Sequence, residues 1–170
     1  AEAENLDIQP KTYHAAYTVG SSLYVSVGEK DLGVGISTED GIVYGKSVHR
    51  DEFGITKGTF WSPSGRYLAF YRMDESMVTD YAIYDNSTVP ASTTTIKYPT
   101  AGAKSHHVTI GVYDLNSEKI NYLETGEPKE QYLTNVSWSP DEDAIYVAIV
   151  NRGQNQMFLN LPDSTNRLAL

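Results

Sequence analysis

The side chains that could do chemistry in this sequence are a few histidines and a few paired carboxylates. His49 lies just before the acidic pair Asp51–Glu52, and a second acidic pair, Asp74–Glu75, follows an apolar run. Two further histidines, His106 and His107, are adjacent. Protein metal sites need several ligands at defined spacing, and no such set occurs among these residues. We therefore expect no metal ion and no cofactor, and we expect structural or surface roles for the histidines.

Nucleophilic catalysis is not expected from this sequence. It contains no cysteine, which excludes thiolate nucleophiles, disulfides and zinc–thiolate centres. The Gly-x-Ser-x-Gly turn that presents the serine of an α/β-hydrolase occurs nowhere in the 170 residues. We predict that the chain holds no catalytic residue, so any chemistry in which it takes part is carried out by residues outside it.

Charge and hydropathy exclude two further classes of partner. The net charge is −9, and the lysines and arginines form no basic stripe of the kind that binds a phosphate backbone, so we predict no nucleic-acid partner. No apolar run approaches the roughly 20 residues that span a bilayer, so we predict no membrane span.

A short pattern that occurs three times determines the architecture that we predict. Each copy is an apolar strand, a turn containing Pro10, Pro63 or Pro140, and a second strand in which apolar and polar residues alternate. Proline fixes φ at the first central position of a tight turn, and the alternation buries one face of each strand. Trp61 and Trp138 occupy the same place in two copies, where we expect them to fill the gap between neighbouring sheets. Adjacent copies must stack, because one hairpin cannot bury its apolar face alone.

The spacing of the copies indicates a β-propeller. The prolines lie 53 (63 − 10) and 77 (140 − 63) positions apart, and a blade of four strands takes about 40 to 50 residues. The second spacing therefore fits one blade plus an insertion, which we place at Met73 to Thr100. Val108–Leu115 and Lys119–Leu123 form a further hairpin pattern. We predict an all-β fold, a partial β-propeller of about three blades.

These segments resemble the dipeptidyl peptidase IV family of prolyl-specific serine exopeptidases. The resemblance is carried by the repeated Trp-Ser-Pro at 61–63 and 138–140, by the Tyr-Pro-x-Ala-Gly pattern at Tyr98–Gly102 and by Val108–Tyr113, and it covers most of the chain from about Tyr44 onward. Within that family the sequence is most similar to the bacterial prolyl tripeptidyl peptidases.

The resemblance implies a division of labour within a longer protein. Residues 1–170 would be a fragment of an N-terminal propeller of eight blades, and the Ser-His-Asp triad would lie in a C-terminal α/β-hydrolase domain that follows downstream. The fragment would gate peptide substrates with proline near the N-terminus and contact that catalytic domain. We also expect a periplasmic or secreted protein, with its signal peptide upstream of the acidic Ala1–Glu4.

Asp51 and Glu52 are the candidate substrate-binding residues that the resemblance implies. Members of the family hold the free α-amino group of the peptide with glutamates from a propeller segment, since carboxylates make charge-assisted hydrogen bonds with an ammonium group. Here Gly45 follows Tyr44 where the family has consecutive glutamates, which favours the tripeptidyl branch. Neighbouring strand residues point to opposite faces, so both acids reach one amine only from a bend or short helix. The alternative is an exposed charged turn screened by Arg50.

The function and the assembly of the whole chain each leave an alternative open. The propeller could be a non-catalytic module that binds a protein or peptide, because this fold hosts many functions. Three blades also leave strand edges and an apolar blade face uncovered. We therefore expect a homodimer, or terminal strands that reshape to cover those edges.

Overall fold

A computed structural model describes residues 2–160 as fourteen strands and one short 3₁₀ segment at His49–Gly54. The strands are β1 (Glu4–Ile8), β2 (Ala15–Val19), β3 (Ser22–Val27), β4 (Lys30–Gly35), β5 (Ile42–Tyr44), β6 (Thr59–Trp61), β7 (Tyr67–Asp74), β8 (Asp80–Asp85), β9 (Ser92–Lys97), β10 (His107–Asp114), β11 (Lys119–Tyr122), β12 (Gln131–Trp138), β13 (Ile145–Asn151) and β14 (Met157–Asn160). Within residues 2–160 no helix is long and apolar enough to cross a membrane.

The strands form three antiparallel sheets that stack as propeller blades, and one separate hairpin. The first sheet is the meander β1-β2-β3-β4, the second has the order β11-β10-β7-β5 with β6 also on β7, and the third is β12-β13-β14. Strands β8 and β9 pair only with each other. The all-β partial propeller of about three blades that the sequence predicts is confirmed.

Strand β7 lies in the middle of this stack and is buried on both faces. Its residues Tyr67, Ala69 and Tyr71 pack into one core with residues of the third sheet. The intervening Leu68 and Phe70 pack into a second core with residues of the first sheet. Successive side chains of a strand point to opposite faces, so one continuous apolar run supplies both cores. The second sheet is therefore held between the other two.

The two tryptophans join neighbouring sheets, as the sequence predicts. The indole N–H of Trp61 donates to the carbonyl oxygen of Asp7 in β1 at 3.0 Å. The indole N–H of Trp138 donates in the same way to the carbonyl oxygen of Phe60 in β6 at 2.9 Å. Each tryptophan thus contacts the neighbouring sheet in two ways: its ring packs against apolar side chains, and its N–H donates a hydrogen bond.

The Ser-Pro turns have the predicted tight geometry. In the second sheet Ser62 accepts from Gly65 N–H at 2.9 Å and exchanges two bonds with Tyr67, one through the serine hydroxyl. In the third sheet Ser139 makes the matching bonds with Glu142 and Ala144. Pro63 and Pro140 follow these serines at the first central position of the turn, where a fixed φ is favourable.

The insertion between β7 and β10 begins later than the sequence predicts. Met73 and Asp74, which we expected in the insertion, are the last residues of β7 and pair with Val108 and His107 of β10. Pairing with β10 extends the strand past the point where its side chains become polar. The inserted segment, residues 75–106, is not a plain loop, because it contains the hairpin β8–β9.

Candidate functional site

Asp51 and Glu52 lie in a loop, residues 45–58, that leaves the edge of β7 between β5 and β6. We call this segment the Glu52 loop. Its two ends meet on one residue, since Gly45 N–H donates to Tyr71 C=O at 2.8 Å and Tyr71 N–H donates to Gly58 C=O at 2.9 Å. A β-carbon at Gly58 would overlap the Lys46 carbonyl group. Only glycine therefore allows the loop to close.

Apolar residues hold the Glu52 loop on the protein from both sides of its acidic centre. Val48 is 2% exposed and Ile55 5% exposed, and both belong to the core between the second and third sheets. Burying such side chains stabilises by roughly 1.5–3 kcal/mol each. Arg50, Asp51 and Glu52 between them are exposed and are therefore presented at the surface from a fixed base.

The backbone between these two apolar residues is strained. His49, Arg50, Asp51 and Phe53 have φ of 53°, 55°, 61° and 56°, in the left-handed region that residues with a β-carbon rarely adopt. Such conformations cost of order 1–3 kcal/mol each and persist only where the surroundings impose them. The contacts of this loop must therefore offset that cost.

One of these contacts is a pair of buried imidazoles. His49 and His106 are 3% and 9% exposed, and His49 Nδ1 lies 2.9 Å from His106 Nε2. The backbone N–H of Leu133 in β12 donates to His49 Nε2 at 3.1 Å. Because the N–H of Leu133 can only donate, neutral His49 carries its proton on Nδ1 and donates it to His106 Nε2. The tautomers of both rings follow from one backbone donor.

Both imidazoles are neutral at pH 7. Burial, followed by the neighbouring His106 and Arg152, lowers the pKa of His49 to about 3. Burial, followed by the charges of Arg152 and Arg50, lowers the pKa of His106 to about 4. Protonation of either ring would place a charge in a buried site.

Further contacts tie the Glu52 loop to the insertion and to the third sheet. The guanidinium of Arg50 lies 4.5 Å from the centre of the Tyr98 ring, which follows β9. The hydroxyl of Thr134 in β12 donates to the carbonyl oxygen of Phe53 at 3.2 Å. The rings of Phe53 and Tyr132 are 4.9 Å apart. The arginine that we expected to screen the acids thus also stacks on an aromatic ring.

Glu52 lines a cavity of about 350 Å³ between the loop and the third sheet. Arg152 lines the same cavity, and its guanidinium donates to the Tyr132 hydroxyl at 2.9 Å and to the Ser105 hydroxyl at 3.3 Å. Gln154 also donates to the Tyr132 hydroxyl, at 3.4 Å. A carboxylate and a fixed guanidinium therefore face one space, which suits a ligand with both an ammonium group and a hydrogen-bond acceptor.

Asp51 lies in different surroundings from Glu52. Its carboxylate accepts a hydrogen bond from the Ser47 hydroxyl. It lines a neighbouring cavity of about 520 Å³, together with Glu4, Glu75 and Lys97. Consecutive residues of this bend thus face two cavities, which share His49, Arg50, Pro99 and His106 in their walls.

The second acidic pair is divided in the same way. Asp74 accepts two hydrogen bonds from Ser76. Burial alone would raise its pKa, but these bonds and the charge of Arg72 outweigh burial and lower it. Glu75 lines the 520 Å³ cavity, and burial raises its pKa. No group of three or more His, Cys, Asp or Glu in the described part of the chain could hold a metal ion.

Sequence reasoning missed Arg152, Tyr132, Ser105 and Gln154 as residues of this site. They come from the end of the insertion and from the third sheet, far from Glu52 in sequence. The resemblance covers most of the chain from about Tyr44 onward, but it does not indicate where a side chain points.

Comparisons with known proteins agree with this fold. Residues 1–169 match the family described as the dipeptidyl peptidase IV (DPP IV) N-terminal region. A probable dipeptidyl-aminopeptidase B of Phaeosphaeria nodorum is 26% identical over 98% of the chain. A crystal structure of a putative dipeptidyl aminopeptidase IV from Bacteroides ovatus superposes with a TM-score of 0.82 at 47% identity over 92% of the chain. Porphyromonas gingivalis dipeptidyl peptidase 4 gives a TM-score of 0.81 at 22% identity over 91% of the chain, a likeness of fold.

The chain corresponds to only a part of each of these proteins. It covers 20% of the Phaeosphaeria nodorum protein. It covers 22% of the Bacteroides ovatus chain and 23% of the Porphyromonas gingivalis chain. The similarity therefore describes a region of about a fifth of the length of those proteins.

Proposed function

From its membership of the family of dipeptidyl peptidase IV N-terminal regions, which matches residues 1–169, we propose a function for the chain. It is the non-catalytic propeller part of a prolyl-specific serine exopeptidase. In this proposal the longer protein, the parent enzyme, carries the Ser-His-Asp triad in a C-terminal α/β-hydrolase domain. The propeller part gates peptide substrates and binds their N-terminus.

The observation that carries the proposal is the position of Glu52. Its carboxylate lines a cavity on a loop that Val48, Ile55 and the His49–His106 pair fix to the protein. An amine anchor has to be rigid, because its distance from the nucleophile sets how many residues are removed from the substrate. Glu52 binds the α-ammonium group, and Arg152, which lines the same cavity, donates to a substrate carbonyl.

Asp51 is proposed as a secondary contributor. Its side chain already accepts a hydrogen bond from Ser47 and lines the neighbouring cavity. One primary carboxylate, in place of two consecutive glutamates, supports the tripeptidyl branch that the sequence predicts.

The test is substrate cleavage by the parent enzyme. Chromogenic Xaa-Pro and Xaa-Xaa-Pro substrates are compared, each with a free and with an acetylated N-terminus. We expect cleavage of the free-amine substrates only, with Xaa-Xaa-Pro preferred. Glu52→Gln removes the charge and should lower kcat/KM roughly 10- to 100-fold, the effect of losing a hydrogen bond between charged groups.

A matched control is Glu124→Gln, at an exposed carboxylate outside both cavities. This variant should cleave normally. Normal cleavage by Glu52→Gln would move the amine anchor elsewhere. No cleavage of either substrate by the wild-type parent would favour a propeller that only binds peptides.

We also propose that the parent enzyme is a periplasmic or secreted homodimer. Support for the dimer comes from the hairpin β8–β9, which pairs with no other strand in the described part of the chain. Ile83, Tyr84 and Val89 on this hairpin are 45%, 72% and 100% exposed. Unpaired strand edges with exposed apolar side chains favour association with a second surface.

A further inference from the structure

Three separate segments meet at the imidazoles of His49 and His106. His49 belongs to the Glu52 loop, His106 ends the insertion that contains β8 and β9, and Leu133 belongs to β12 of the third sheet. Three groups form one chain of hydrogen bonds, from Leu133 N–H to His49 and from His49 to His106. The pair therefore joins the loop to two elements that are distant in sequence.

The bond arrangement leaves little freedom to the backbone at His49. The two ring nitrogens of His49 are both occupied, one as acceptor and one as donor. The Tyr132 ring packs on the imidazole at 5.0 Å between centres. His49 has a φ of 53°, and Glu52 follows three residues later. Buried and fully paired polar groups of this kind are expensive to rearrange.

We propose that the His49–His106 pair is a positioning element of the amine-binding site, which holds the left-handed segment 49–53 so that Glu52 faces its cavity. The inference rests on the proposed role of Glu52. Both residues line the cavity of Glu52, but His49 Nδ1 and His106 Nε2 are bonded to each other, and the role proposed for the pair is to hold the backbone. Their effect on binding is transmitted through the backbone from His49 to Glu52.

The experiment uses the full-length parent enzyme and two substitutions at His106. His106→Leu removes the acceptor for the His49 N–H, whereas His106→Gln offers an amide oxygen in its place. We expect His106→Leu to raise KM for free-amine substrates about tenfold, which corresponds to about 1.4 kcal/mol, with kcat changed less than about twofold. His106→Gln should restore most of the affinity. His107→Leu, one residue further on and outside the pair, is the control and should leave KM unchanged.

A double-mutant cycle with Glu52→Gln separates positioning from a general structural effect. If His106 acts through Glu52, His106→Leu should raise KM little in the Glu52→Gln background. An equal rise in both backgrounds would overturn the proposal. So would an unchanged KM in His106→Leu.

Amide hydrogen exchange across residues 46–57 supplies a readout that is independent of activity. His106→Leu should speed exchange in this segment and His106→Gln should restore it. Exchange could be faster in His106→Leu while Glu52→Gln leaves KM unchanged. The pair would then order the loop but the amine anchor would lie elsewhere, which refutes the role of Glu52 and leaves the ordering of the loop standing. Unchanged exchange in His106→Leu would refute the positioning role itself.

Discussion

Asp51 and Glu52 are neighbours in the sequence, but their carboxylates lie in different surroundings. Asp51 accepts a hydrogen bond from Ser47 within its own loop, whereas Glu52 lines a cavity that Arg152 also lines. Since a carboxylate that is already paired has less capacity for a ligand, the two residues should differ in their contribution to binding.

We expect Asp51→Asn to raise KM for free-amine substrates less than threefold, because asparagine keeps an oxygen that can accept from Ser47. Steady-state kinetics of the parent enzyme beside Glu52→Gln measures the difference. Equal losses in the two variants would indicate that both carboxylates bind the amine together.

The neutral histidine pair makes stability depend on pH. Below about pH 6.5 the unfolded chain protonates both imidazoles, while the folded chain holds them neutral until pH falls to about 4 and 3. The unfolded state then binds more protons, so stability is lost as pH falls from 7 towards 4. The guanidinium groups of Arg152 and Arg50 act in the same direction, because their charges disfavour a further positive charge at the pair, and His107 is the remaining titratable neighbour of His106.

The prediction is tested by urea denaturation of the parent enzyme at several values of pH between 4.5 and 7.5. The free energy of unfolding should fall with pH more steeply in the wild type than in His106→Gln, which has one such imidazole fewer. Parallel curves would contradict the burial of a neutral ring at this position.

At the scale of the elements, neighbouring sheets are joined twice by the same kind of hydrogen bond, from a tryptophan N–H to a backbone carbonyl. Trp61 and Trp138 each donate to a carbonyl of the preceding sheet. Trp138→Phe keeps an aromatic ring but leaves the Phe60 carbonyl without this donor. We expect a loss of about 1–2 kcal/mol in the free energy of unfolding, the usual cost of an unmade hydrogen bond.

Trp61→Phe should cost a similar amount, because it breaks the equivalent bond to Asp7. Tyr84→Phe in the exposed hairpin serves as the control and should be neutral. Unchanged stability in both tryptophan variants would mean that ring packing alone joins the sheets.

The elements also mark where sequence reasoning succeeded. The Ser-Pro turns and the two tryptophans are local patterns, and each predicted contacts that the structure has. The expectation that one face of every strand is exposed is wrong for β7, because neighbouring sheets pack on both of its faces. The start of the insertion was misplaced, because Met73 and Asp74 are kept in β7 by pairing with β10, and polarity does not report a partner strand.

The site was less predictable than the fold. The His49–His106 bond joins residues 57 positions apart, and the Arg152 side chain reaches the cavity of Glu52 from another sheet. A sequence without a spaced set of ligands gives no sign of such contacts. The left-handed residues 49–51 are not glycines, so their conformation is imposed by tertiary contacts and has no local signature.

At the scale of the whole molecule, the exposed hairpin β8–β9 bears on assembly. We expect the parent enzyme to sediment as a dimer, and we expect Val89→Lys or Tyr84→Lys to shift it towards monomer, because a charge opposes burial of this surface. Analytical ultracentrifugation at micromolar concentration measures both. A wild-type monomer would exclude the dimer, and a dimer that tolerates both lysines would place the interface on another surface.

The closure of the Glu52 loop on Tyr71 has a consequence for how such a protein can diversify. Gly45 and Gly58 are both hydrogen-bonded to Tyr71 of β7. The ends of the loop are therefore fixed at one position of the strand. The entropic cost of closing a loop rises only slowly with the number of residues in it. If Glu52 is the amine anchor that we propose, a segment of another length that keeps the apolar positions of Val48 and Ile55 would place that anchor differently, while β7 keeps its register.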